Sequence, residues 1–530
     1  MLGNPKGGPS APLEGADSVL GRCLPMGRIS MSTSAKKNLT YFTDPVHGQI
    51  AVTDTELTII DTPAFQRLRR IKQLGNVQFV FPGAVHTRFS HSLGTMHLAG
   101  RYFDALFKNI KHDSDLDYLR MTVRMAGLLH DVGHGPFSHL FEKMLRKPIE
   151  GKQRTSRCTV SDLADEISVP KEWLKREKAE KFFREELEHE HYSLGIIKHI
   201  FSSTELDKNL AQDVSSLISD DINCSDRFRE HVNNVCRKFL NNASADSLMR
   251  CLHFVISGEV DVDKLDYLAR DAYFCGTNIG SIDTEFLLNS LKLSSQVFDD
   301  DDIQQCYIEI SGSAIPAFEQ VLISRKQMFN RVYYHRVNLA FDKIMEKIVD
   351  QLVLKGSISF PRDYQSFIKM TDEWLEDRIR EVLSDDKFRL DQPTITLAKM
   401  YLTRSMPKRV EIGDVSKEDE IVPHYRVKDR AKELKKLYKD QLTDPEIVTA
   451  PLKELTKLER DIKTKEGAPH ILRIRPDTIE NQAISVSYIS DLLRSSLWRD
   501  VSTRMIVFQP YEKSAELRGL AKKVELLPRK

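Results

Sequence analysis

The sequence predicts a mainly α-helical protein with a smaller α+β region toward its C-terminus. Three observations predict it. Apolar residues recur at helical spacing through most of the chain to about Asp350. Strand-like runs are few: Cys306-Tyr-Ile-Glu-Ile310, Ile484-Ser-Val-Ser-Tyr488 and Met505-Ile-Val-Phe508. The last two each precede a helical stretch, the pattern of a small α+β unit. There is no fixed-period repeat, and no run of about 18 apolar residues that would cross a membrane.

The chain has 530 residues, room for roughly three to four domains or one large globule. Lys plus Arg number 78 and Asp plus Glu 77, so the formal charge is +1. This excludes a globally basic nucleic-acid binder and leaves local basic patches open. A hydrophobic fraction of 41% with 29% charged residues fits a globular chain that can bury a core. The seven cysteines form no CxxC pair, and no secretory signal precedes them. They read as reduced thiols in a cytoplasmic protein, or a nuclear one in a eukaryote.

Residues 1 to about 40 are rich in Gly, Pro, Ser and Ala, lack apolar periodicity and read as a flexible tail. From Tyr41 the pattern is that of a folded chain. Thr62 as N-cap and Pro63 at the first helical position predict a helix running toward a stop at Gly75. A second helix carries His91 to Arg101. A third, Leu119 to Asp131, places Met121, Met125, Leu128 and Leu129 on one buried stripe. Residues about 145 to 187 are rich in Lys and Glu and read as a solvated helical excursion.

Seven of the 16 histidines fall between His86 and His139. His130 and Asp131 close the third helix in the string GLLHDVGHGPFSHLFE. Adjacent helical residues diverge by about 100°, so both can reach one ion off the helix end. Imidazole is a common metal ligand and a carboxylate compensates charge. His134 follows one turn later, and Gly135-Pro136 permits a sharp turn that brings His139 back over the site. Arg88-Phe-Ser-His91 adds a cation and another imidazole. A lone histidine here reads as a core or surface residue; the group of His91, His130, Asp131, His134 and His139 reads as a site. Absence of cysteine at ligand spacing argues against a zinc finger. A second element, GEVDVDKLDYLARD at 258–271, sets Val262, Leu265 and Ala269 on one helical face. Asp263, Tyr267, Arg270 and Asp271 lie on the other. Alone it is an ordinary amphipathic helix; beside the histidines, Asp263 supplies one more ligand.

These strings together, RFSHS, HDVGHGPFSHLFE and DVDKLDYLARD, resemble the signature of the HD-domain metal phosphohydrolases. More narrowly the chain resembles the deoxynucleoside triphosphate triphosphohydrolases, closest to the branch of the vertebrate sterile-alpha-motif and HD-domain protein without its sterile-alpha-motif domain. The match begins at Asp44-Pro-Val-His-Gly48. It runs through IIDTPAFQRLRRIKQLGNVQFVFPGAVHTRFSHSLGTMHLAG and resumes at 258–271 and at RVYYHRV, 331–337. The resemblance implies an HD-domain helical core over 41–345, with the charged insertion at about 145–187. It leaves a C-terminal helical and small α+β region over 346–530.

The resemblance also implies roles. His91, His130, Asp131 and Asp263 hold a transition-metal ion (Fe, Mn or Zn), and Mg²⁺ accompanies the nucleotide phosphates. The implied reaction cleaves a dNTP to a deoxynucleoside and inorganic triphosphate. His139 is the implied acid, oriented by Glu142 where the family has Asp, with His134 and His189 near the phosphates. His191 rivals His189. Arg88, Lys264, Tyr267 and Arg325 match phosphate contacts. Gln73 and Asp271 match sugar 3′-hydroxyl contacts, and Leu74 and Tyr333 pack where a 2′-hydroxyl would clash. Asp61, Gln66 and Arg69 match a site for an activating guanine nucleotide; their plain reading is a polar helix start. His335, Arg336, Arg404, Lys408 and Arg409 match an adjoining dNTP site. Such relatives assemble as homotetramers when GTP and dNTP bind between subunits. Gln49 and Phe329 depart from the family pattern. His86, His97 and His112 receive no role. Two other readings remain: an HD phosphohydrolase acting on another nucleotide phosphoester, and weak single-stranded nucleic-acid binding through RVKDRAKELKKLYKDQ, 425–440. That segment reads first as a solvated helix, with Tyr438 alone for base stacking.

Overall fold

A computed structural model describes residues 39–405, apart from 109, 112, 146–157, 298–302 and 385–389. Beyond 405 it describes the backbone of strands at 408–414, 446–450, 472–475, 484–485 and 504–509. The side chains of His139, Lys143 and Met144 also lie outside the described residues, as do His112, the expected tail over 1–38 and segment 425–440.

The described chain is mainly α. It opens with an antiparallel hairpin, β1 (Leu39–Asp44) and β2 (Gly48–Thr53), whose turn is closed by Asp44 accepting from the Val46 and His47 amides. Helix α1 (Asp54–Ile60) starts at a capping box in which Thr53 and Glu56 satisfy each other's amides. Helix α2 (Pro63–Gln66) starts on Thr62 and Pro63, as expected, but ends at Gln66. A 3₁₀ turn follows over Arg67–Arg70, and a second one spans Gly75–Phe79. The expected helix to Gly75 breaks at Ile71, whose backbone is extended, and the chain there pairs with residues before α3. Lys72 bridges Thr87, and the Gln73 amide donates to the His86 carbonyl at 3.0 Å.

Helix α3 (Arg88–Leu106) packs on α4 (Ser114–Leu129). Met125, Leu128 and Leu129 are buried on α4, while Met121 is half-buried. Helix α5 (His139–Leu145) follows the Gly135-Pro136 turn. The segment expected as a solvated helix is a string of 3₁₀ turns, at Val160–Asp162, Asp165–Ile167 and Lys171–Trp173, and a short helix α6 (Ala179–Phe182). Its apolar residues, among them Val160, Ile167, Leu174, Phe182 and Leu187, are buried. Their spacing suits no single helical face, and Pro170 removes an amide donor between the second and third turns.

Helices α7 (His189–Ser203), α8 (Lys208–Ile218), α9 (Asp226–Phe239) and α10 (Ala245–Ser257) complete the layer around α4. Helix α11 (Val262–Cys275) lies against α3. Its apolar side is Val262, Leu265 and Leu268, with Ala269 half-buried. The side expected to be wet is not: Arg270 and Asp271 are buried. After α12 (Thr284–Asn289), β3 (Leu291–Val297) and β4 (Gln304–Ser311) pair antiparallel. β4 contains the expected strand Cys306–Ile310. Helix α13 (Ile315–Met328) passes through a π-helical turn, Phe329–Tyr333, into α14 (Arg336–Leu354). The boundary expected after residue 345 falls inside α14.

Helices α15 (Tyr364–Lys369), α16 (Asp372–Ser384) and α17 (Gln392–Leu402) follow. Among the described residues two apolar cores result. The large one spans β2 through α13 and takes in Tyr364 and Phe367 of α15, and the smaller one joins α14, α16 and α17 to Phe137 and Leu140. Toward the C-terminus, β5 (Lys408–Asp414), β9 (Arg504–Gln509) and β6 (Glu446–Ala450) form an antiparallel sheet in that spatial order. β7 (Leu472–Arg475) runs parallel to β4, and β8 (Ile484–Ser485) falls in the strand expected to Tyr488, of which 486–488 lie outside the described residues.

Candidate active site

Three helix ends bring the expected metal ligands together. His91 lies in the first turn of α3, His130 caps the C-terminus of α4 with Asp131 next to it, and Asp263 lies in the first turn of α11. His91 Nε2 is 3.1 Å from Asp263 Oδ1 and 3.5 Å from Asp131 Oδ2. His130 Nε2 is 3.4 Å from Asp131 Oδ1 and 3.7 Å from Asp263 Oδ1. The other ring nitrogens are occupied. His91 Nδ1–H donates to Asp266 Oδ2 at 2.7 Å, and His130 Nδ1–H donates to the Gly127 carbonyl at 2.8 Å. Both Nε2 atoms are therefore lone-pair donors in the neutral rings. Both are buried without a hydrogen-bond partner. Two imidazoles and two carboxylates facing one point, without thiolate, fit a transition-metal ion.

The electrostatics agree. Burial disfavours a charged His91, yet the Asp263 and Asp266 carboxylates hold its pKa up to about 10. Burial would raise Asp131, but Arg88, His130 and His134 hold it far below the usual carboxylate range. Asp263 is held low against burial by His130 and His91. The site thus keeps two anions and demands positive charge between them.

Beside the cluster, His134 Nε2 lies 3.3 Å from Asp131 Oδ1. Its ring stacks on His189, with centroids 3.9 Å apart. His189 Nδ1–H donates to Glu142. Burial and Arg88 push the His134 pKa far down, whereas Glu142 outweighs burial and raises that of His189. The two stacked rings are thus shifted in opposite directions. Glu142, expected to orient His139, is thus engaged with His189; the His139 side chain lies outside the described residues. His191, the rival of His189, turns to Glu185 at 3.4 Å. A side chain at Gly133 would overlap the His189 carbonyl and the Ser193 amide, so α7 approaches the HD turn only past glycine.

Arg88 pairs with Asp131 and donates to Ser138 Oγ at 2.8 Å. Lys264 donates to the Gly258 carbonyl at 2.8 Å and pairs with Asp261. Asp271 accepts from Tyr333 Oη at 2.6 Å and from His86 Nε2 at 2.8 Å. Tyr333 meets Tyr267 edge-on at 6.3 Å. Burial raises the Tyr267 pKa, against the Arg325 guanidinium. Leu74 packs partly buried against the large core, and the adjacent Gln73 Oε1 is buried without a partner.

The expected regulatory residues lie in separate places. Gln66 accepts from Arg69 Nε at 2.8 Å and donates to the Ile60 carbonyl, next to exposed Asp61. His335 caps α14 and Arg336 is exposed beside it. Arg404 donates to the Phe79 carbonyl. The Lys408 and Arg409 side chains lie outside the described residues.

Sequence reasoning missed several supporting residues. Asp266 receives His47, His91 and Arg270 together, and Arg270 also pairs with Asp44 at 2.7 Å. Asp266 lies three residues after Asp263 on the same helical face, a spacing that could have revealed it. His86, left without a role, holds Asp271.

Comparison with known proteins follows the same lines. The HD domain family matches residues 88–226. An uncharacterised protein of Bacillus subtilis is 32% identical over 309 residues, covering 58% of this chain and 54% of its own. The deoxynucleoside triphosphate triphosphohydrolase SAMHD1 homolog of Dictyostelium discoideum is 30% identical over 352 residues, covering 64% and 55% respectively. The chain spans about half the length of these curated relatives. A crystal structure of a phosphohydrolase from Bacteroides thetaiotaomicron superposes with a TM-score of 0.57 at 20% identity, over 89% of this chain and 100% of that one, and shares the fold. The chain carries a match to the HD domain over residues 88–226 and is similar to a deoxynucleoside triphosphate triphosphohydrolase homolog; of the expected ligands, His91, His130 and Asp131 lie within that match and Asp263 on α11.

Proposed function

We propose that the protein is a metal-dependent dNTP triphosphohydrolase. The observation that carries this reading is one chain of adjoining polar side chains. The His91, His130, Asp131 and Asp263 cluster adjoins the stacked His134 and His189. Helix α11 continues from Asp263 through Tyr267 to Asp271, which Tyr333 and His86 hold.

An ion held by His91, His130, Asp131 and Asp263 would lower the pKa of bound water and polarise a phosphoryl oxygen. Fe, Mn or Zn suits these ligands, and Mg²⁺ suits the nucleotide phosphates. The chain's own residues do the rest. Arg88, Lys264, Tyr267 and Arg325 bind the triphosphate with His134 and His189, Arg88 and Lys264 turning to it from Asp131 and Asp261. Gln73 and Asp271 take the sugar 3′-hydroxyl, while Leu74 and Tyr333 close the space at C2′. A water oxygen bonds the α-phosphorus, the bond to the 5′-oxygen breaks, and that oxygen takes a proton. His139 is the donor by resemblance, and Glu142, hydrogen-bonded to His189, favours the protonated form of that second imidazole.

We further propose activation by GTP and dNTP through homo-oligomer assembly. The clustering of Asp61, Gln66 and Arg69 on one surface supports it.

One assay tests the reading. The protein is incubated with each dNTP and Mn²⁺ or Mg²⁺, with and without GTP, and the phosphate product is identified. Triphosphate with deoxynucleoside is expected. Pyrophosphate or orthophosphate would favour another phosphoester substrate. Asp131→Ala should abolish turnover, and retained activity would refute the metal assignment. Arg69→Ala should weaken GTP activation and GTP-driven assembly in sedimentation while leaving metal content unchanged.

A further inference from the structure

The turn between His134 and α5 contains an unusual backbone. Phe137 and Ser138 are consecutive non-glycine residues, each with φ of +55°. L-residues adopt this left-handed region reluctantly, and two in a row persist only where neighbours impose them. The neighbours are identifiable. The Phe137 amide donates to Asp372 Oδ1 at 2.7 Å, and the Lys72 amide donates to Asp372 Oδ2 at 3.0 Å. Ser138 Oγ accepts from Arg88 Nε at 2.8 Å and donates to the Lys72 carbonyl at 3.1 Å.

Asp372 thus stands at one end of a chain of bonds that reaches Arg88 and its partner Asp131. It is 2% exposed and opens α16, well beyond the residues matched as the HD domain. The bonds described for its carboxylate run to backbone amides and not to any expected ligand of metal or substrate. Meanwhile the Phe137 ring is buried in the smaller core, where it meets Tyr401 edge-on at 6.3 Å. The left-handed turn is therefore clamped by side chains from the C-terminal helical layer.

We propose that Asp372 is a positioning residue for hydrolysis: it fixes the Phe137–Ser138 turn, and through Ser138 the placement of Arg88 against Asp131. The C-terminal layer thereby sets the competence of the metal centre. This rests on hydrolysis at that centre and not on the choice of dNTP.

The test uses the full chain, loaded with Mn²⁺. Two substrates are assayed: dGTP and the generic phosphodiester bis(p-nitrophenyl) phosphate. Asp372→Ala should lower kcat by about tenfold or more with both substrates, at unchanged metal content and with KM within about threefold. Asp372→Asn keeps one acceptor oxygen and should fall between the two. Leu375→Ala, a core cavity on the same helix, should lower Tm and leave kcat near wild type. A kcat for Asp372→Ala within about twofold of wild type would overturn the proposal, as would an equal kcat loss in Leu375→Ala. If Asp372→Ala does not fold, the comparison of Asp372→Asn with Leu375→Ala decides, and equal kcat values overturn it. Cleavage of the diester without dGTP would count against the dNTP reading while still deciding this one.

Discussion

Asp266 governs how His91 presents itself. Its carboxylate accepts a hydrogen bond from His91 Nδ1–H and so leaves the Nε2 lone pair facing the cluster. Such partners tune ligand basicity, and removing one weakens metal affinity by about 10–100-fold. Asp266→Ala should accordingly lose metal on dialysis against a chelator that leaves the wild type loaded; equal retention would refute the role. His97 tests a different charge. Burial, with His47, Arg101 and Arg124 nearby, lowers its pKa from 6.5 to about 4, against Asp44. The folded protein therefore binds fewer protons than the unfolded chain between those values. Its stabilising contribution is complete above pH 6.5 and is lost as the pH falls through about 4. The Tm of the wild type should fall more steeply on acidification than that of His97→Gln, and parallel curves would contradict the shift. His91, His130, Asp131 and Asp263 were legible because short motifs carry them. Asp372 was not, because its partner Phe137 is 235 residues away and no local spacing encodes the pairing.

Among the elements, α3 and α11 meet most tightly at Gly94. A Cβ there would overlap the Asp266 carboxylate and the Arg270 guanidinium. Gly94→Ala should cost about 1–3 kcal/mol by forcing these buried groups apart. It should also reduce metal retention, which a mere propensity effect would not. Chemical denaturation with a parallel metal assay checks both, and a stabilised variant would exclude the close approach. The long helices were readable where one apolar stripe faces one core, as on α4. The 158–187 segment was misread because its charge count hid a scatter of buried apolar anchors. The wet face assigned to α11 failed for a related reason: Arg270 is buried because Asp44 and Asp266 compensate it from two elements.

At the scale of the molecule, the described residues form two apolar cores, and α5 contributes to both, Leu140 to the smaller and Phe141 to the larger. Phe341 is fully buried in the smaller core, on α14. Phe341→Ala should destabilise the protein by about 3–5 kcal/mol through the lost contacts and the cavity left behind. A Tm change confined to noise would show that this layer contributes little. The mainly α class was readable from the sequence; His91, His130, Asp131 and Asp263, expected as ligands, meet at three helix ends, and the boundary expected after residue 345 lies within α14. The π turn at Phe329–Tyr333 carries a further implication for how this chain tolerates insertion and deletion. An α-helix advances by about 100° per residue, so one wider turn rephases everything after it. Deleting a single residue there would leave the hydrophobicity profile nearly intact. It would nonetheless rotate Tyr333 off Asp271 and swing His335 and Arg336 round the helix axis together. Lengths of chain that align without a gap across this turn are therefore a prerequisite for transferring residue roles from one relative to another.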